Sequence, residues 1–270
     1  MACFTRLSRS AILAVALTLG LSANFLQPVQ AQWLTSSLGS KLENSFRPPR
    51  GPNAPSPVNT VSGGRRGGPC MKTQNPLIAL VPTYGGKTAG EFPTIYWYVP
   101  DMTATEAPAP VVEFELKDAN NQEVYYSAKY SLTKSAEGVV GSPGIMSLKL
   151  DHPYSLKIGQ TYRWQLTLRC DANEVDRSQD HFVEGLLERV APDPNIANRI
   201  QQATPQERIA LYADNDLWYE ALGTLIELRR ERPNDVNVAN AWDKLLSLVY
   251  KGDLVAKEAL LDGARSINNY

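Results

Sequence analysis

Residues 161–170 read Thr161-Tyr162-Arg163-Trp164-Gln165-Leu166-Thr167-Leu168-Arg169-Cys170. Tyr162, Trp164, Leu166, Leu168 and Cys170 share one parity; Thr161, Arg163, Gln165, Thr167 and Arg169 share the other. Successive strand side chains point to opposite faces, so this is a β-strand with an apolar and a polar side. The same period runs outward from it. Val112, Phe114 and Leu116 alternate with Glu113, Glu115 and Lys117. Val124, Tyr126, Ala128 and Tyr130 alternate with Tyr125, Ser127 and Lys129, and Met146, Leu148 and Leu150 with Ser147 and Lys149. Leu77 to Val81 and Thr94 to Val99 are short apolar runs, and His181 to Gly185 is a weaker candidate. Asn, Gly and Pro turns separate these segments, which predicts an antiparallel β-sandwich over 70–191. Seven strands leave an immunoglobulin-like topology open.

After Pro192 the period becomes helical. Asp193-Pro194 offers an N-cap followed by proline, and Thr204-Pro205-Gln206-Glu207 is a capping box. Leu217, Ala221, Leu225 and Leu228 form one stripe ended by Pro233, and Val238, Trp242, Leu245 and Val249 form another. Asp253 is read as the cap of a further helix reaching Ala264. The fold class is therefore α+β: the sandwich, then a helical block of four or five short helices over 192–265. Tyr212, Ala221 and Pro233 have the relative spacing of a tetratricopeptide hairpin. One such unit cannot bury its own apolar face, so it either docks on the sandwich or leaves a groove for a partner.

The N-terminus has the three zones of a signal peptide over 1–31: Arg6 and Arg9, the apolar run Ala11 to Leu21, and Val29-Gln30-Ala31 before the cleavage point. The run is too short for a membrane span, so no transmembrane span is expected after processing. Removing the leader leaves 25 basic against 28 acidic residues, a mature charge of −3. Segment 32–69 is read as a disordered tether, because prolines and glycines crowd Arg47 to Pro69 and few apolar residues offset ordering entropy. It holds the basic knot Arg65-Arg66, so the portion that follows it is acidic. That argues against nucleic-acid binding. Localisation is expected to be periplasmic or extracellular, where Cys70 and Cys170 would form a disulfide.

Candidate chemistry is sparse. Gly85-Gly86-Lys87-Thr88 resembles a phosphate loop, but Val81 stands where glycine is needed, and Gly90 and Pro93 block the helix that would follow. It is read as a hairpin loop, with no nucleotide. Asp171, Asn173 and Asp176, with Asp180, offer hard oxygens for calcium, but the spacing departs from an EF-hand and suits an Asx-rich turn. His152 and His181 have no zinc spacing. Glu113, Glu115 and Glu184 are the acids a glycoside hydrolase would need, and two of them lie on the wet parity. Tyr96, Trp97, Tyr98, Tyr125, Tyr126 and Tyr130 are read as half core and half exposed. No catalytic residue and no cofactor is assigned.

One series of short motifs carries a resemblance. Gly67-Gly68-Pro69-Cys70, Leu80-Val81-Pro82, Glu91-Phe92-Pro93-Thr94, Tyr162-Arg163-Trp164, Cys170-Asp171, Asp176-Arg177-Ser178, Val183-Glu184-Gly185 and Leu217-Trp218-Tyr219-Glu220-Ala221-Leu222 stand in order. Over about 67–250 the chain resembles the cyanobacterial domain-of-unknown-function family 928. It departs at Leu186, where tryptophan is usual, and in a longer loop at Pro143-Gly144. The resemblance implies exported proteins, supports the cysteine pair and the Asp176-Arg177-Ser178 turn, and implies no enzyme role. The functional expectation is an exported, non-enzymatic binding or scaffold protein of the cell envelope, with an envelope protein or peptide as partner. An envelope glycan or protein hydrolase and a purely structural envelope protein are the alternatives.

Overall fold

The computed structural model describes residues 38–260 except 39–40, 43, 49–54, 64–74, 102–110, 120–123, 132–142, 152, 154, 171–176 and 179. Its strands are β1 (Ile78–Ala79), β2 (Gly86–Thr88), β3 (Thr94–Val99), β4 (Val111–Asp118), β5 (Val124–Ser131), β6 (Gly144–Lys149), β7 (Thr161–Arg169), β8 (His181–Arg189) and β9 (Ala259–Leu260). Between β8 and β9 lie α1 (Pro194–Gln202), α2 (Pro205–Asp214), α3 (Trp218–Glu231), α4 (Val236–Leu246) and a 3-10 turn, Gly252–Leu254. The architecture is mixed α+β, with two sheets in the orders β1-β3-β6-β9 and β2-β8-β7-β4-β5.

The alternating segments fold as their parity requires. Phe114 and Leu116 of β4 stand opposite Leu166 and Trp164 of β7, and all four are fully buried. Phe114 stacks on Trp164 at 6.2 Å between ring centroids. The register shifts between Leu116 and Lys117, so Tyr126 pairs with Leu116 while Val124 pairs with Lys117. Tyr125 is the extra residue of this bulge. Such a residue escapes strict alternation, and Tyr125 meets Tyr162 edge-on at 5.2 Å.

Several expectations need correction. His181 to Gly185 is the start of a nine-residue strand that pairs along β7. Gly86–Thr88, read as a hairpin loop, is a strand paired in parallel with Leu187–Arg189. The helix expected after Asp253 is a single 3-10 turn, and Ala259–Leu260 then pairs in parallel with Gly144–Ile145. Tyr96, Trp97 and Tyr98 are all buried, at 8%, 0% and 0% exposure, because both faces of β3 are covered. Helix α3 accounts for one side: the Tyr96 hydroxyl lies 3.2 Å from where a Cβ on Gly223 would stand.

The expected tether is also corrected where it is described. Val58, Thr60 and Ser62 are buried. The Thr60 carbonyl accepts from Ala79 N–H, and the Asn59 carbonyl from Glu184 N–H. One extended strap therefore bonds to β1 of one sheet and β8 of the other. Proline-rich chain is compatible with this, since an edge position needs only alternate backbone groups.

The helices begin as their caps dictate. Asp193 accepts from Asn195 N–H, and Thr204 and Glu207 complete the capping box. Helix α3 is the anchor of the block. Trp218 donates its indole N–H to the Leu80 carbonyl at 2.9 Å, and Tyr219 donates its hydroxyl to the Leu186 carbonyl at 3.1 Å. Trp164 in turn donates to the Tyr219 oxygen at 3.0 Å. The α2–α3 hairpin thus docks through α3 and buries the face that a lone repeat would leave wet. At the other end Arg229 lies over the Trp242 ring at 4.7 Å, and both donate to the Ala256 carbonyl.

Candidate functional site

The polar parity of the five-stranded sheet carries an ordered charge network. Glu113 of β4 stands between Lys129 of β5 and Thr167 of β7. Its Oε1 accepts from Arg169 Nη1 at 2.7 Å and lies 3.1 Å from Lys129 Nζ. Its Oε2 accepts from Arg177 at 3.2 Å. Arg177 Nε also donates to Asp180 Oδ2 at 3.0 Å, and Arg169 Nε lies 4.0 Å from that oxygen. The Arg169 side chain is only 4% exposed although its parity is polar, because these partners close over it. A guanidinium that deep needs paired carboxylates, or its desolvation would cost several kcal/mol. Burial alone would raise the Glu113 carboxyl, but its bonds to Arg169 and Lys129 and their charges outweigh that and hold it below the usual range.

A second group lies further along the same face. Arg163 pairs with Glu184 at 3.4 Å, Glu115 with Lys117 at 2.8 Å, and Gln165 donates to Thr167. Glu115 and Glu184 both stand opposite Gln165, on either side of β7. Two strand spacings put them roughly 10 Å apart, at or beyond the range of paired glycosidase acids. Each is also committed to a cation. The arrangement lays alternating charges across several strands of one face.

The phosphate-loop-like stretch has a different use. Glu220 Oε1, on α3, accepts from the Thr88 hydroxyl at 2.6 Å and from the Ala89 and Gly90 N–H groups at 2.9 and 3.0 Å. Adjacent amides that converge on one point form an anion nest. Here the anion is the chain's own carboxylate, so the loop docks a helix. Lys87 stands 3.8 Å from Asp216 in the α2–α3 turn.

The other expected site residues are placed as follows. Asp171, Asn173 and Asp176, the calcium candidates, lie outside the described residues, as do Cys70 and His152. Cys170 follows β7, partly buried against the core. His181 is 5% exposed, and burial lowers its pKa. Among the described residues no group of three or more His, Cys, Asp or Glu could hold a metal ion, and no helix is long and apolar enough to cross a membrane. Sequence reasoning singled out Glu113, Asp180 and the Asp176-Arg177-Ser178 turn but did not join them to one another or to Lys129 and Arg169. The cross-strand opposition of Glu113 and Lys129, two alternating segments joined by one short turn, was the available signal. Nothing in the sequence pointed Glu220 at residues 88–90.

No curated protein and no solved structure matches the chain. The family model described as Domain of Unknown Function (DUF928) does match, over residues 61–259. That span takes in both sheets, the charge network and the docked helices, and it covers most of the sequence; the chain belongs to this family.

Proposed function

We propose that this is an exported, non-enzymatic binding or scaffold protein of the cell envelope, and that it meets an envelope protein or peptide on the polar face of its five-stranded sheet. The observation that carries the reading is the Glu113–Arg169–Arg177–Asp180 network: four side chains from β4, β7 and the approach to β8 fixed in one geometry. Fixed charges on a sheet face supply register and specificity to a protein partner at little ordering cost. The leader over 1–31 delivers the chain to the envelope, and 70–191 and 192–265 are its sheet-bearing and helical parts. The two sheets are the layers of a sandwich, a reading supported by the core they share: Trp97 and Tyr98 on one, Phe114 and Trp164 on the other. The two parallel pairs speak against an immunoglobulin order. Cys70 and Cys170 form the disulfide, the pairing that two cysteines of an exported chain favour.

Crosslinking in intact envelopes tests the proposal. A photo-crosslinker at exposed Ser127 of β5 is expected to capture one discrete partner, and Lys129→Glu with Arg177→Glu to abolish the adduct. Adducts that survive both reversals would place binding elsewhere. Turnover of a cell-wall glycan or protein by the purified chain would replace the reading with the hydrolase alternative.

A further inference from the structure

Two turns far apart in sequence meet at the surface. The first is Pro82-Thr83-Tyr84-Gly85, closed by Gly85 N–H donating to the Pro82 carbonyl at 2.8 Å. Gly85 has φ +91°, and a Cβ on it would stand 2.6 Å from that of Leu186, so glycine alone fits there. The Thr83 carbonyl accepts from Val58 N–H at 2.9 Å, which ties the turn to the strap. The second turn is 247–253, where α4 runs out. It is fastened to the core: Val249 and Val255 are buried, and a Cβ on Gly252 would collide with the Leu246 carbonyl oxygen. Gly252 N–H donates to the Val249 carbonyl, and Val255 N–H to that of Gly252. Between the two turns is an open cavity of about 480 Å³, a volume within the range of small-ligand sites. Thr83 lines it from the first turn, and Ser247, Leu248, Tyr250, Lys251 and Asp253 from the second.

The lining combines an aromatic ring with donors and acceptors of both charges. Tyr250 is 58% exposed, which leaves a large apolar surface in water. Next to it Lys251 stands at φ 60° and ψ 24°, the left-handed region that disfavours residues with a side chain. It makes no capping bond to the 3-10 turn that follows. Glycine or asparagine suits that backbone better, so folding does not account for the lysine. Lys251 and Asp253 are both exposed and stand two residues apart; among the described residues neither enters an ion pair. Their charges cancel. A ligand with a strong charge of either sign would meet its own sign on one of them. A neutral ligand with donors and acceptors around its edge and an apolar face meets no such conflict. A pyranose sugar has that form. Its hydroxyls donate to a carboxylate and accept from an ammonium, and its C–H groups pack on the negative face of an aromatic ring.

We propose that the cavity between residues 82–85 and 247–253 is a carbohydrate site that takes one pyranose unit of a neutral glycan. Tyr250 is its stacking platform, Asp253 its acceptor and Lys251 its donor. This site does not involve the polar sheet face, and either can fail without the other.

The test is isothermal calorimetry of the purified chain with neutral tetrasaccharides of glucose, N-acetylglucosamine, mannose and galactose, and with tetragalacturonate as a charged counterpart. At least one neutral member is expected to bind, and tetragalacturonate to bind more weakly than that member. Tyr250→Ala is expected to lower the affinity for it at least about tenfold, the scale of one lost aromatic stack. Lys251→Gly separates binding from folding. It relieves the left-handed backbone, so Tm is expected to stay level or rise while affinity falls at least about fivefold. Lys129→Glu with Arg177→Glu, on the sheet face, is expected to leave sugar binding as it was. The proposal is overturned if no neutral member binds, if tetragalacturonate binds best, or if Tyr250→Ala or Lys251→Gly leaves the affinity unchanged.

Discussion

Glu113 shows what a strand's parity leaves unsaid. Alternation places its carboxylate on the polar side, which reads as solvent, and only the fold brings Arg169, Lys129 and Arg177 onto it. Its lowered pKa has a consequence for stability. The folded state binds this proton less readily than the unfolded chain, so the stabilisation is complete above the ordinary glutamate value of 4.5 and is lost as pH falls below it. His181 acts in the same direction in a higher window. Burial lowers its pKa, so its contribution is complete above 6.5 and declines as pH falls below that value, where the unfolded chain takes up the proton first. Urea denaturation from pH 7 to 4 is expected to show stability falling in both windows. His181→Leu should flatten the profile just below pH 6.5, leaving the Glu113 limb in place. A profile that His181→Leu leaves unchanged would mean the imidazole is not desolvated. Gly185 gives a second test at this scale. A Cβ there would enter the Trp164 ring, which is fully buried. Gly185→Ala is expected to destabilise by about 2–3 kcal/mol, because a packed core cannot yield to an added methyl. For a domain of this size that lowers Tm by several degrees, about 2–4 °C per kcal/mol.

Among elements, those whose signal is local were legible and those made by long-range pairing were not. The strands β4, β5, β6 and β7 and the starts of α1 and α2 follow from alternation and caps, both short-range properties. β2 has no alternation to read: Gly86-Lys87-Thr88 is a strand only because β8 lies alongside. β9 exists in the same way, through β6. The helical residues Leu38, Lys41, Leu42 and Asn44 were hidden because the Pro and Gly content after them dominates the composition of 32–69. Helix α3 shows the same limit. Its apolar stripe was plain, but its Glu220 contact reaches more than a hundred residues back to Thr88. Glu220→Ala would take the acceptor from Ala89 N–H and the Thr88 hydroxyl, while Gly90 N–H keeps the Thr88 oxygen, and a lost charged acceptor costs about 1.5–3 kcal/mol. Urea denaturation is expected to show that loss, with hydrogen exchange at 88–90 rising more than at β7. Equal exchange at both places would mean that Glu220 does not hold α3 to the loop.

At the scale of the whole molecule the sequence carries the α+β class, and the fold adds the surfaces. The proposed disulfide belongs here, since it would join Cys70 to Cys170 just after β7. Intact mass is expected to rise by about 2 Da on reduction. In the chain-entropy model a loop of about 100 residues lowers stability by up to about 4.7 kcal/mol when it is opened, so reductant should depress Tm strongly. Free thiols in freshly exported chain would remove the bridge from the account. The central claim is that the fixed charges of the sheet face meet a protein in the envelope, and its measurement is the Ser127 crosslink in living cells with and without the reversals at Lys129 and Arg177. A single partner captured by the unaltered face and lost from the reversed one is the predicted result. A chain that stays uncrosslinked, or captures the same protein equally well after reversal, contradicts it.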